Sequence, residues 1–460
     1  MRKIALLLGC VLLTVAARRR VVSPPPAPPA IDIMRSMVIV DPNILQAFDF
    51  QRVLQTLVDR SGATATTPLS LYQQWFDTQN PKPGLAVANA PHCDDFVTDG
   101  KPSFNGFERR CPTSEGMLAK TDPFAGHDYT AIGITNRFDL TPVDGSNCGQ
   151  YRIIYAKTAP QEGSLKLHVI FEAVLPNPWP QLGTAGCRAA AQYWADLSTI
   201  DSVTERRARV ERFFFDGVDG YEPVLMPSHF APETGRIRTS QLSPVNPFPR
   251  FYQFNLQRDG ARLLVVPGLL ADMPFSLLYN ATLPDPRGTE FQQLLVSQVA
   301  TLAARGDFNA FFDNVPDKFL MHESNSRDDF RTWDLADGVI PVQDTAEEKA
   351  FKDAITAELH RIGSNLTANQ IITRNGLLSC HGCHNGGAQL SVGDGVFFPT
   401  SFADFAHIDE GFGGGGGFQI SPGLRNGFAP ARAKILRDFL FGNPLPVHSN
   451  GTLGGGRASD

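Results

Sequence analysis

The stretch Cys380-His381-Gly382-Cys383-His384 restricts its surroundings more than any other part of the chain. It reads C-x-x-C-H, the spacing that attaches a c-type haem. Two thiols one helical turn apart can add to the two vinyl groups on one edge of a porphyrin. The histidine directly after them points its imidazole at the iron. A chain using the motif this way must wrap an apolar ring, and Phe397, Phe398, Phe402, Phe405, Leu436 and Phe439 are available nearby. Two plainer uses compete. Cys380 and Cys383 could close a small disulfide with His384 merely polar, or bind zinc together with His384 and His407. Zinc ranks last, because thiols in an oxidising compartment tend to be paired.

The N-terminus points to such a compartment. Met1-Arg2-Lys3 is basic, Ile4 to Ala17 is almost entirely apolar, and Val15-Ala16-Ala17 offers small residues for cleavage. This is the pattern of a signal peptide over 1–17, too short for a comfortable membrane span. Arg18-Arg19-Arg20 departs from it, since positive charge there resists translocation. Leu7-Leu8-Gly9-Cys10 imitates a lipoprotein box, but apolar Val11-Leu12-Leu13 follows where a polar tether is expected, which argues against lipidation. Pro24 to Pro29, all proline except Ala27, makes 18–30 a stiff linker. The expected location is periplasmic or secreted.

At 42% hydrophobic and 19% charged, the chain can build a core and is not broadly disordered. A net charge of −6, with no basic stripe for phosphate, argues against nucleic acid as a partner class. No later apolar run is long enough to span a bilayer, so no membrane span is expected in the mature chain. With Cys10 removed in the leader and Cys380 and Cys383 set aside, four cysteines remain: Cys93, Cys111, Cys148 and Cys187. Short loops close most cheaply, which favours Cys93–Cys111 and Cys148–Cys187.

Residues 31–340 read as a mixed α+β body with an antiparallel sheet. Asp41-Pro42 starts a helix that Gly62 ends. Tyr151 to Ala159 and Leu165 to Leu175 read as paired strands; in the second, Leu165, Leu167, Val169, Phe171, Ala173 and Leu175 alternate onto one face. Tyr252, Phe254 and Leu256, then Asp259-Gly260, then Arg262 to Val266 make a hairpin. Ser202 with Glu205 and Thr289 with Gln292 open further helices. Familiar catalytic signatures are absent, among them His-Glu-x-x-His, Gly-x-Ser-x-Gly and the Walker loop. Whether the chain is an enzyme stays open. Arg137 and Asp139, at the end of a strand, pair to hold a loop or bind an anion, and the first role is the commoner. His92, His127, His168, His229 and His322 are scattered and read as ordinary histidines.

The body resembles uncharacterised exported bacterial proteins at Asn136 to Leu140, Cys148 to Ile153 and Phe171 to Pro178. That resemblance implies export and a bacterial source and no mechanism.

Residues 345–442 are ordered differently, with a flexible tail at 443–460. Thr345 and Glu348 cap a helix ending near Gly363, and Thr367 with Gln370 caps a second reaching toward Gly376. The C-x-x-C-H follows, then a long Gly-rich loop, then a helix from Pro430 stopped by Gly442. From Thr345 to Gly442 this order resembles a small, mostly helical c-type cytochrome domain. The resemblance implies thioether links from Cys380 and Cys383, proximal ligation by His384, covalent haem c, and a redox partner protein. Many such domains use a downstream methionine as second ligand, but the last methionine here is Met321. His407 is the best replacement, His448 a weaker one, and a five-coordinate iron stays open. Two functions follow: an exported haem protein passing electrons, or an exported, disulfide-stapled binding or structural protein without haem.

Overall fold

The computed structural model describes residues 30–87, 90–158, 166–218, 220–243, 246–270, 273–279, 286–305, 313–325, 346–378, 391–397, 407–412 and 416–445. Its strands are β1 (Val38–Ile39), β2 (Val97–Thr98), β3 (Lys101–Phe104), β4 (Phe107–Glu108), β5 (Tyr129–Arg137), β6 (Asn147–Lys157), β7 (Lys166–Pro176), β8 (Arg236–Ser243), β9 (Asn246–Asp259), β10 (Arg262–Pro267), β11 (Glu323–Asn325), β12 (Ile408–Phe412) and β13 (Phe418–Ile420). The helices are α1 (Ile33–Ser36), α2 (Pro42–Leu45), α3 (Phe50–Ser61), α4 (Pro68–Asp77), α5 (Arg188–Asp196), α6 (Val203–Phe215), α7 (Phe275–Leu278), α8 (Pro286–Ser297), α9 (Val299–Leu302), α10 (Ala346–Arg361), α11 (Ala368–Leu377) and α12 (Ala429–Leu440).

The expected α+β body with an antiparallel sheet is present. Eight strands form one sheet in the order β1-β5-β6-β7-β8-β9-β10, with β11 also on β9, and every pair is antiparallel. The alternation seen in the sequence sets its core face. Tyr151, Ile153 and Tyr155 of β6 meet Ala173, Phe171 and Val169 of β7 in register. Helices cover this face with aromatic rings. Phe50 of α3 packs 5.0 Å from Tyr155, Trp75 of α4 lies 5.7 Å from Phe254, and Trp194 of α5 stacks 5.4 Å from Tyr151.

The helix expected from Pro42 to Gly62 is broken in two. Asp49 caps a fresh start by accepting from the Arg52 amide at 3.0 Å, and Gly62 ends it at φ +65°, where a side chain would be strained. The expected Asp259-Gly260 hairpin forms with Arg262 opposite Asp259. Ser202 caps α6 from the Glu205 amide as expected. Thr289 does not open its helix, because α8 already begins at Pro286. Thr367 and Gln370 make both halves of the capping box on α11.

The Gly-rich loop is not without structure. Ile408 pairs with Ile420 in the β12–β13 hairpin, which sequence reading missed. A run of five glycines at 413–417 hid two short strands. The boundary between body and C-terminal region, and the C-x-x-C-H motif, lie outside the described residues. The described parts of both regions share one apolar core running from Met37 to Leu445. Helix α10 packs on α8, α9 and α11, and α11 packs on α9, whereas α12 packs on α5 and on the turn at 138–140. Among the described residues, no helix is long and apolar enough to cross a membrane.

Candidate functional site

Both expected disulfides form: Cys93–Cys111 with Cα atoms 5.4 Å apart, and Cys148–Cys187 at 5.2 Å. Cys380 and Cys383 are then the only cysteines beyond Cys10 outside these two bonds. Cys380, Cys383 and His384 lie outside the described residues, as does His448. The motif follows α11 directly. That helix is held by buried Arg374, which donates to the carbonyls of Val392 at 2.8 Å and Leu302 at 2.8 Å.

His407 stands at the entry to β12, half-buried. Its amide donates to Ser421 Oγ at 3.1 Å, its carbonyl accepts from the Ser421 amide, and its Nε2 lies 3.8 Å from Asp409 Oδ2. Of the side chains expected to wall a porphyrin, Leu436 and Phe439 are buried, Phe439 against Phe138 of the body at 4.8 Å. Phe397 is 62% exposed, and Phe398, Phe402 and Phe405 lie outside the described residues.

The body holds an ionic cluster that strand alternation alone could not reveal. On the sheet face opposite the aromatic core, Arg152 and Arg236 flank Glu172 in the strand register, and Arg238 lies two pairs on, opposite Ile170. Glu172 lies 3.5 Å from Arg152 Nε and 3.2 Å from Arg236 Nε, and accepts from Arg238 Nη2. Burial pushes the Glu172 carboxyl up, but the three guanidiniums outweigh it and hold the group below its ordinary value. The predicted Arg137–Asp139 pair is a buried fork, with Nε 3.0 Å from Oδ1 and Nη2 2.9 Å from Oδ2. Arg432 of α12 comes within 4.0 Å of Asp139, so the pair links the last helix to β5. It does the holding work expected of it.

The β12–β13 hairpin crosses the same face. Gly133 permits this, since a Cβ there would come 2.2 Å from Ile408 Cδ1. Glu410 of β12 lies 3.5 Å from His168 Nε2 and also receives Lys166; these two partners, His168 first, hold its carboxyl well below the usual range. Three further histidines serve the fold: His92 Nδ1 meets the Asp77 carbonyl, His229 Nδ1 the Val224 carbonyl and His322 Nδ1 the Gly268 carbonyl. Burial lowers the His229 and His322 pKa values. Among the described residues, no three His, Cys, Asp or Glu side chains gather as a metal site.

The chain matches no family model, no curated protein and no solved structure.

Proposed function

We propose that this is an exported c-type haem protein in which Cys380 and Cys383 hold the porphyrin by thioethers and His384 ligates its iron. The observation that carries the reading is the use of the other cysteines. Cys93, Cys111, Cys148 and Cys187 are joined as two pairs, so the C-x-x-C-H thiols have no partner to find among them. Two disulfides also suit a periplasmic or secreted location. The donor set fits the group: two thiols and an adjacent imidazole, with His407 as second ligand at the start of β12. Haem held this way supplies a one-electron couple, and a second histidine gives a lower potential than methionine. The cytochrome-like segment then passes electrons to a redox partner protein.

The test is expression with the cytochrome maturation machinery, followed by a denaturing gel and haem stain. Haem should stay with the polypeptide, and Cys380→Ala with Cys383→Ala should release it. His407→Ala should shift the low-spin spectrum without releasing haem. If no haem remains bound, an exported, disulfide-stapled binding or structural protein without haem is the better account.

A further inference from the structure

A cleft of about 600 Å³ opens between the β2–β3–β4 meander and the end of β10, lined by described residues. Its floor is made by two buried amides. Gln253 is 1% exposed and Asn255 5% exposed. The Gln253 orientation is fixed chemically: Arg236, which can only donate, meets its Oε1 at 3.3 Å. Its Nε2 therefore points away from Arg236, and among the described residues no hydrogen bond uses it. Asn255 is fixed in the same way, because its Nδ2 donates to the Gly235 carbonyl at 2.7 Å. Its Oδ1 faces Gly268, where an added Cβ would come within 2.2 Å of it. The missing side chain at Gly268 keeps that oxygen reachable. The floor thus offers one donor and one acceptor, the complement of an amide group.

The rim differs in charge. Glu233 and Asp317 line the cleft, both exposed, and among the described residues neither carboxylate has an ion pair or hydrogen bond. Burial, then the Glu233 charge, raises the Asp317 pKa, so a cation placed between them is favoured. Among the described residues that line the cleft there is no Lys, Arg or His. Phe104 of β3 adds an apolar wall. The turn beyond it is fastened to the rim, since Asn105 Nδ2 donates to the Asp317 carbonyl at 2.7 Å.

We propose that this cleft binds an organic cation carrying an amide, as in a lysine-bearing peptide, with the ammonium between Glu233 and Asp317 and the amide on Gln253 and Asn255. The assignment is independent of haem.

Calorimetric titration of the full mature chain with N-acetyl-lysine-N-methylamide tests it. Saturable binding is expected, with the norleucine analogue, which lacks the ammonium, about tenfold weaker. Glu233→Gln with Asp317→Asn should weaken the lysine probe by about the same factor and leave the norleucine analogue unchanged. Gly268→Ala should weaken both probes; should that variant fail to fold, the exposed rim pair still decides. Equal binding of the two probes, no binding of the lysine probe, or full binding by the rim variant would overturn the proposal.

Discussion

Two glutamates are buried on opposite faces of one sheet and are held in opposite states. Glu172, on β7, faces Arg152, Arg236 and Arg238, and its carboxyl is held down in the ionised form. Glu115 reaches Thr239 of β8 from the aromatic face, where its partners are neutral: Gln79 Nε2 at 2.6 Å and Thr239 Oγ1 at 2.9 Å. Burial pushes its carboxyl up to about 7. Burial is nearly equal for the two. The partners differ, and they decide the charge state. One face is thus organised by dispersion and area, the other by charges that must neutralise one another out of water.

The strongest way to break that contrast uses neighbours in sequence. Phe171 and Glu172 point to opposite faces of β7. Phe171→Ala should cost about 3–5 kcal/mol, as for a large cavity. Glu172→Gln should cost about 3–5 kcal/mol, because it strands buried guanidiniums. Their pH responses should separate them. The Glu172 carboxyl is lowered from 4.5, so its contribution is complete above that pH and is lost as pH falls through the folded value. Urea titrations across pH should therefore show the Glu172→Gln deficit shrinking in acid and the Phe171→Ala deficit unchanged. Parallel curves would mean that the ionic face is not ionic.

The disulfides come next. Cys148–Cys187 spans 39 residues and ties β6 to the start of α5 over the aromatic face. Replacing both cysteines by alanine should cost about 4 kcal/mol, against about 3 kcal/mol for Cys93–Cys111, which spans 18. Thermal unfolding of each variant checks the order.

Glu115 sharpens the contrast from the other side. Its folded value of about 7 lies above the ordinary glutamate value of 4.5, so its share of stability is full below pH 4.5 and fades as pH rises through 7. The loss amounts to ~3 kcal/mol. Glu115→Gln should remove that slope, and an unaltered slope would put the titration elsewhere. The smallest effect expected is Thr67→Ala at the α4 capping box, about 1 kcal/mol, read as a shift in the urea midpoint.

Much of this was legible in the residues themselves. The alternation from Leu165 to Leu175 marked the core face of β7, and short loops marked both disulfides, because period-two burial and loop closure are local rules. The break at Asp49 was less legible: one apolar stripe ran through both helices, and only the cap separates them. The β12–β13 hairpin was hidden by its glycines. The partnership of Glu172 with three arginines was invisible for another reason. Arg152 lies on β6 and the other two on β8, and strand register alone brings them to one carboxylate. The Gln253–Asn255 floor was hidden likewise, since nothing local distinguishes an amide aimed at a cleft from one bonded inside.

The sequence by itself determined the antiparallel sheet and favoured the two cysteine pairs that form, because each depends on spacing along the chain. Only the tertiary structure decided which buried carboxylate is charged, where α12 docks, and that a donor, an acceptor and two carboxylates converge beside β3. Those depend on distances through space, across which electrostatic and hydrogen-bond energies change steeply.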